Sequence, residues 1–158
     1  MLTVNTFLFY KLIRGAKMKR LFVAAFMFLA VLTTNTLAEI KMGVILGFTG
    51  PIESLTPAMA ASAELAFKEV SDSGALLGGE TITPIRGDST CIDSAAAQTV
   101  AEDLISQGVA AIMGADCSGV TGAIATNVAI PNGVVMISPS ATSPGLTTLD
   151  DKGLFFRT

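Results

Sequence analysis

Residues 40 to 51 read IKMGVILGFTGP, and the fold turns on this stretch. From Ile40 to Phe48 apolar and β-branched residues run on with little polar alternation, which predicts a strand covered on both faces, as in a parallel sheet. Thr49-Gly50-Pro51 then turns the chain out of that sheet. Thr56-Pro57 follows as a helix start, with Thr at N-cap and Pro at N1. Met59, Ala63, Ala66, Phe67 and Val70 recur at spacings of three and four, so one helix face is expected inside. Gly74 and the Gly78-Gly79 pair end it.

Downstream, strand and helix keep alternating. Residues 81 to 86 read as a second strand that Pro84 confines to an edge or an irregularity. Asp93 is placed to cap a helix carrying Ala96, Val100, Leu104 and Ile105 on one stripe and stopping at Gly108. Residues 109 to 113, 134 to 137 and 154 to 157 read as further strands, and residues 119 to 129 as a short helix of small residues. The alternation predicts an α/β fold, a doubly wound parallel sheet with helices on both faces. Ligands of such sheets bind outside the carboxyl ends of the strands. The candidate site is therefore the loops at 49 to 55, 88 to 91, 115 to 119 and 138 to 142.

Upstream lies a different kind of sequence. The first 38 residues hold five bases (Lys11, Arg14, Lys17, Lys19, Arg20) and no acid. After Lys19-Arg20 come the apolar residues 21 to 32, a polar stretch, and Leu37-Ala38, the three regions of a secretory signal peptide cleaved after Ala38. The apolar run is short for crossing about 30 Å of hydrocarbon, so a permanent anchor is the weaker reading. Met18 reads as the start, which leaves residues 1 to 17 as an upstream extension. No cysteine lies near the cleavage site to carry a lipid. Residues 39 to 158 are then the working part, and stopping just past Phe155-Phe156 suggests an incomplete structural unit.

That part carries all 13 acids against five bases, a net charge of −8, which argues against nucleic acid as a partner. Its two cysteines, Cys91 and Cys117, read as a disulfide in an oxidising compartment, worth about 3 to 4 kcal/mol on a chain-entropy account; two buried free thiols are the other reading. The chain has no histidine, so Ser118 and Cys117 lack the usual base for nucleophilic catalysis. Neither G-x-G-x-x-G nor G-K-[ST] occurs, which removes the nucleotide-cradling motifs. Two cysteines without histidine make a poor metal site. Hence no catalytic residues, no cofactor and no metal are expected. What remains is hydroxyls and free backbone groups: Ser118 just before the helix from Gly119, where N–H groups suit an anion, and Ser138-Pro139-Ser140-Ala141-Thr142 after the fourth strand. Together they suit a zwitterion. Read from residue chemistry alone, Ser118 is equally an ordinary N-cap and Ser138 to Pro144 an ordinary turn.

GVILGFTGP (43 to 51), GADCSG (114 to 119), VMISPSATSP (135 to 144) and the closing Phe156-Arg157-Thr158 resemble, in order, the leucine/isoleucine/valine-binding protein family of type I periplasmic solute-binding proteins. The resemblance implies two α/β lobes closing over a ligand, with residues 39 to 158 as an incomplete first lobe. It implies that Ser118 and the Thr142 N–H donate to a ligand carboxylate. The Ser140 carbonyl and Thr142 hydroxyl would accept from its ammonium, with Ala141 in the same ligand-binding stretch. It pairs Cys91 with Cys117. Leu55 stands where branched-chain binders often place an aromatic residue, which leaves the ligand side chain open. The implied role is periplasmic capture of a branched-chain or related amino acid by a protein that is monomeric when full length, for an ABC transporter permease. Alternatives are a sensory domain of the same fold, a binder of amides or aromatic acids, and an exported hydrolase whose histidine or metal ligand lies beyond Thr158.

Overall fold

A computed structural model describes residues 39–158 apart from residue 77. The signal peptide expected over residues 1 to 38 lies outside the described residues. The chain runs β1 (Glu39–Leu46), α1 (Thr56–Ser73), β2 (Thr81–Asp88), α2 (Ser94–Ser106), β3 (Ala111–Gly114), α3 (Ser118–Ile124), a wide helical turn (Ala125–Ala129), β4 (Val135–Ser138), a 3-10 turn (Pro144–Thr148) and β5 (Phe155–Arg157). All strand pairings are parallel, in the order β2-β1-β3-β4-β5. The α/β sheet expected from the alternation is the one observed, and Pro84 sits on the edge strand β2.

In β1, Val44, Ile45 and Leu46 are all 0% exposed. Successive strand side chains point to opposite faces, so three in a row can be buried only if both faces are covered. Val44 and Leu46 pack with Ala60, Met59 and Phe67 of α1. Ile45 packs into the larger core, with Ala97, Ala101 and Leu104 of α2, Val120 and Ile124 of α3, and Ile112, Met136 and Phe155 of the neighbouring strands. Helices therefore cover β1 on both faces, α1 on one and α2 with α3 on the other, while Val135 and Ile137 of β4 and Phe156 of β5 stay exposed.

Several local expectations shift. Helix α1 has Leu55, not Thr56, at N-cap, and Pro57 is one position further in. Thr56 is buried, and its hydroxyl donates to the Gly47 carbonyl at 3.1 Å, so it ties the helix to the end of β1 instead of capping its own turn. The buried face of α1 centres on Thr56, Ala60 and Phe67, while Ala66 and Val70 are exposed. Alanine is tolerated on either face and so carries little phase information. Asp93 caps α2 as expected, accepting from the Ala95 and Ala96 N–H groups at 3.0 Å. The helix expected at 119 to 129 is a seven-residue α3 that begins at Ser118 with Cys117 as its cap, then widens at Ala125. Ser118 thus lies inside the first turn.

None of the described helices is long and apolar enough to cross a membrane. Among the described residues, no buried side-chain nitrogen or oxygen lacks a hydrogen-bond partner.

Candidate functional site

From β1 the chain crosses to β2 on one side and, by way of β2, to β3 on the other. The carboxyl ends of β1 and β3 therefore flank the topological switch point, where open sheets leave a crevice. Four loops meet at this edge, and a buried carboxylate fastens three of them. Asp116, 4% exposed, accepts from the Gly47 N–H after β1 at 2.8 Å, from the Ser89 hydroxyl after β2 at 3.4 Å, and from its neighbour Cys117 N–H at 2.9 Å. Charge-assisted bonds of this kind are among the stronger ones a protein makes.

The expected disulfide joins Cys91 to Cys117, with the Cα atoms 5.2 Å apart. It links the loop after β2 to the cap of α3, passing beside Gly47. A Cβ on Gly47 would lie 3.2 Å from Cys91 Cβ and 3.3 Å from its nitrogen, so glycine there leaves room for the bridge. Thr90 and Cys91 both take positive φ, 56° and 69°, a conformation unusual for residues other than glycine. Asp88 supports this turn, accepting from the Thr90 N–H at 2.9 Å and from the Thr49 hydroxyl at 2.6 Å. Burial works to raise the Asp88 carboxyl, but the Thr49 hydroxyl and the N–H groups of Thr90, Thr49 and Phe48 outweigh it and hold it below its ordinary value.

The fourth loop is built on Ser138, which is 0% exposed. Its hydroxyl donates to the Ala115 carbonyl at 2.5 Å and accepts from the Ala141 N–H at 3.0 Å. The Ser140 hydroxyl donates to the Asp116 carbonyl at 3.1 Å. Ser118 Oγ then accepts from the N–H groups of Thr142 and Ser143, at 3.0 and 3.1 Å. With both lone pairs engaged, the Ser118 hydroxyl hydrogen is left to donate outward. From β5, Arg157 closes the loop from behind, donating to the carbonyls of Ala141 at 3.1 Å and Ser143 at 2.8 Å and to the Thr147 hydroxyl.

The structure thus brings together Ser118, Ser140, Ala141 and Thr142. Ser140 and Thr142 are exposed and Ala141 is buried. Thr142 N–H, expected to face a ligand, is already bonded to Ser118 Oγ. Leu55 belongs to a different loop, 61% exposed at the start of α1, and takes no part in this network. The sequence places Asp116 and Ser138 in the candidate loops without a role for either, and gives Arg157 none. Asp116 sits directly before a cysteine at a strand end and Ser138 ends a strand whose alternate residues are buried, which is the available signal; nothing local marks Arg157.

Residues 39–157 match the family model described as periplasmic binding protein. Over 144 residues the chain is 32% identical to the leucine-, isoleucine-, valine-, threonine-, and alanine-binding protein of Pseudomonas aeruginosa, covering 90% of this chain and 37% of that protein. It is 36% identical over 123 residues to Leu/Ile/Val-binding protein homolog 1 of Brucella abortus, covering 77% of this chain and 32% of the relative. Among solved structures it is similar to the branched-chain amino acid transporter substrate-binding protein LivJ of Streptococcus pneumoniae in complex with isoleucine, with a TM-score of 0.64 and 34% identity over 75% of this chain and 33% of that one. The chain spans about a third of the length of these relatives.

Proposed function

The chain belongs to the periplasmic binding protein family, and from that premise we propose that it is the first lobe of a receptor that captures an α-amino acid and hands it to an ABC transporter. Residues 39 to 158 form that lobe in this reading, and residues 1 to 38 deliver it to the periplasm by a leader cleaved after Ala38. The observation that carries the reading is the arrangement at Ser118. Two amides fill its oxygen, its hydrogen remains to donate to a carboxylate, and the exposed Thr142 hydroxyl and Ser140 carbonyl stand in the facing loop to accept from an ammonium. Among the described residues neither of those two acceptors has an intramolecular partner. Donors and acceptors in one crevice suit a zwitterion better than an anion or a cation alone.

The relatives named for leucine, isoleucine and valine support the branched-chain class. Exposed Leu55 offers an apolar surface at the same edge for a ligand side chain, completed from the second lobe. Binding without chemistry fits the site: the chain has no histidine, and among the described residues the Ser118 oxygen is held by backbone amides. The protein binds and releases, and closure of the lobes over the ligand follows from contacts made only in the closed state.

A thermal-shift screen of the full-length, leader-free protein against amino acids, amides and small aromatic acids tests this, because a ligand stabilises the state it binds. A rise in melting temperature with branched-chain amino acids and no product formed is expected. No rise with any α-amino acid would remove the zwitterion reading, and a rise with aromatic acids alone would move the protein to another solute class.

A further inference from the structure

We propose that Arg157 is a positioning residue for the ligand carboxylate, acting through the Ala141–Thr142 peptide and Ser118. The proposal rests on the functional reading above. Arg157 Nη1 donates to the Ala141 carbonyl at 3.1 Å. That carbonyl and the Thr142 N–H belong to one peptide group, and the Thr142 N–H donates to Ser118 Oγ at 3.0 Å. The Ser118 hydroxyl is the expected carboxylate donor. Charge therefore has a continuous hydrogen-bonded route from the guanidinium, through the peptide and the serine oxygen, to the ligand.

Each link in such a chain polarises the next, and the strengthening is larger where water is excluded. A cation on the carbonyl side draws electron density from the peptide and makes its N–H a better donor. A serine oxygen that accepts from that N–H becomes in turn a better donor through its own hydrogen. The guanidinium is also unspent: the ion pairs among the described residues are Lys68–Asp72 and Arg86–Glu64, and Arg157 has only neutral acceptors. The second Nη1 bond, to the Ser143 carbonyl at 2.8 Å, means that the cation brackets Thr142 on both sides. Arg157 thus fixes the loop geometry and supplies distant positive charge to a site that has no cation of its own among the described loops.

A merely structural arginine would affect all ligands alike, whereas this one discriminates by ligand charge. The test uses the full-length protein and calorimetric titration. The probe is L-leucine, L-isoleucine, L-valine, L-threonine or L-alanine, whichever the unmodified protein binds most tightly, together with its primary amide, which keeps the ammonium and side chain but lacks the carboxylate. Arg157→Met is expected to weaken the acid by about tenfold or more while leaving the amide within roughly threefold. Arg157→Lys, which keeps the charge but not the fork, should fall between. In a double-mutant cycle, Ser118→Ala should mask the effect of Arg157→Met, because the route to the ligand is already cut. Equal losses for acid and amide, or fully additive losses with Ser118→Ala, would overturn the proposal and leave the functional reading standing. Failure of the unmodified protein to bind any of these acids would overturn both.

Discussion

Asp116 shows how much a single side chain organises here. One buried carboxylate accepts from the ends of β1 and β2 and from its own loop, so the edge that forms the site is held from inside. In Asp116→Asn one oxygen becomes an NH2 that faces an N–H donor, whichever way the amide turns. At least one charge-assisted bond is lost, at a cost of about 1.5 to 3 kcal/mol. Urea unfolding of the full-length protein should show an unfolding free energy lower by that amount and a correspondingly lower midpoint; an unchanged midpoint would mean that the three loops hold together without it. Ser138 plays the same part for the fourth loop.

Between elements, the Cys91–Cys117 bridge spans 26 residues and connects the turn after β2 to α3. Closing a loop of that length is worth about 3 to 4 kcal/mol on the chain-entropy account. Cys91→Ser should therefore lower the melting temperature of the full-length protein while leaving its order of preference among amino acids intact. A changed order would show that the bridge shapes the pocket as well as stabilising it. At this scale much was legible in the sequence. The run from Ile40 to Phe48, the Asp93 cap and the edge proline Pro84 each state their structure through local chemistry. The phase of α1 was not legible, because its face is marked largely by alanines, and neither was the tie from Thr56 to Gly47, because that partner lies in another element. Ser118 and the 138 to 142 loop could be singled out as a candidate site, but their mutual bonds depend on the register of β3 against β4. Arg157 was invisible for the same reason: its acceptors are backbone carbonyls in a different loop.

Taken whole, the described residues form a sheet whose core is complete around β1 and whose carboxyl edge is tied together by side-chain bonds at Asp88, Asp116, Ser118 and Ser138. This division of labour suits the proposed receptor lobe: apolar packing by α1, α2 and α3 sets the loops in place, and the loops carry the hydroxyls, carbonyls and amides that the proposal assigns to a solute. The central claim is that this edge holds an α-amino acid, with Thr142 among its contacts. It is tested most directly by the calorimetric affinity of full-length Thr142→Ala for the amino acid that the unmodified protein binds. The account predicts a loss of about 1 to 3 kcal/mol, roughly five- to 150-fold in Kd, with folding intact, since the Thr142 hydroxyl has no partner among the described residues. An affinity equal to that of the unmodified protein would contradict it and move the ligand elsewhere.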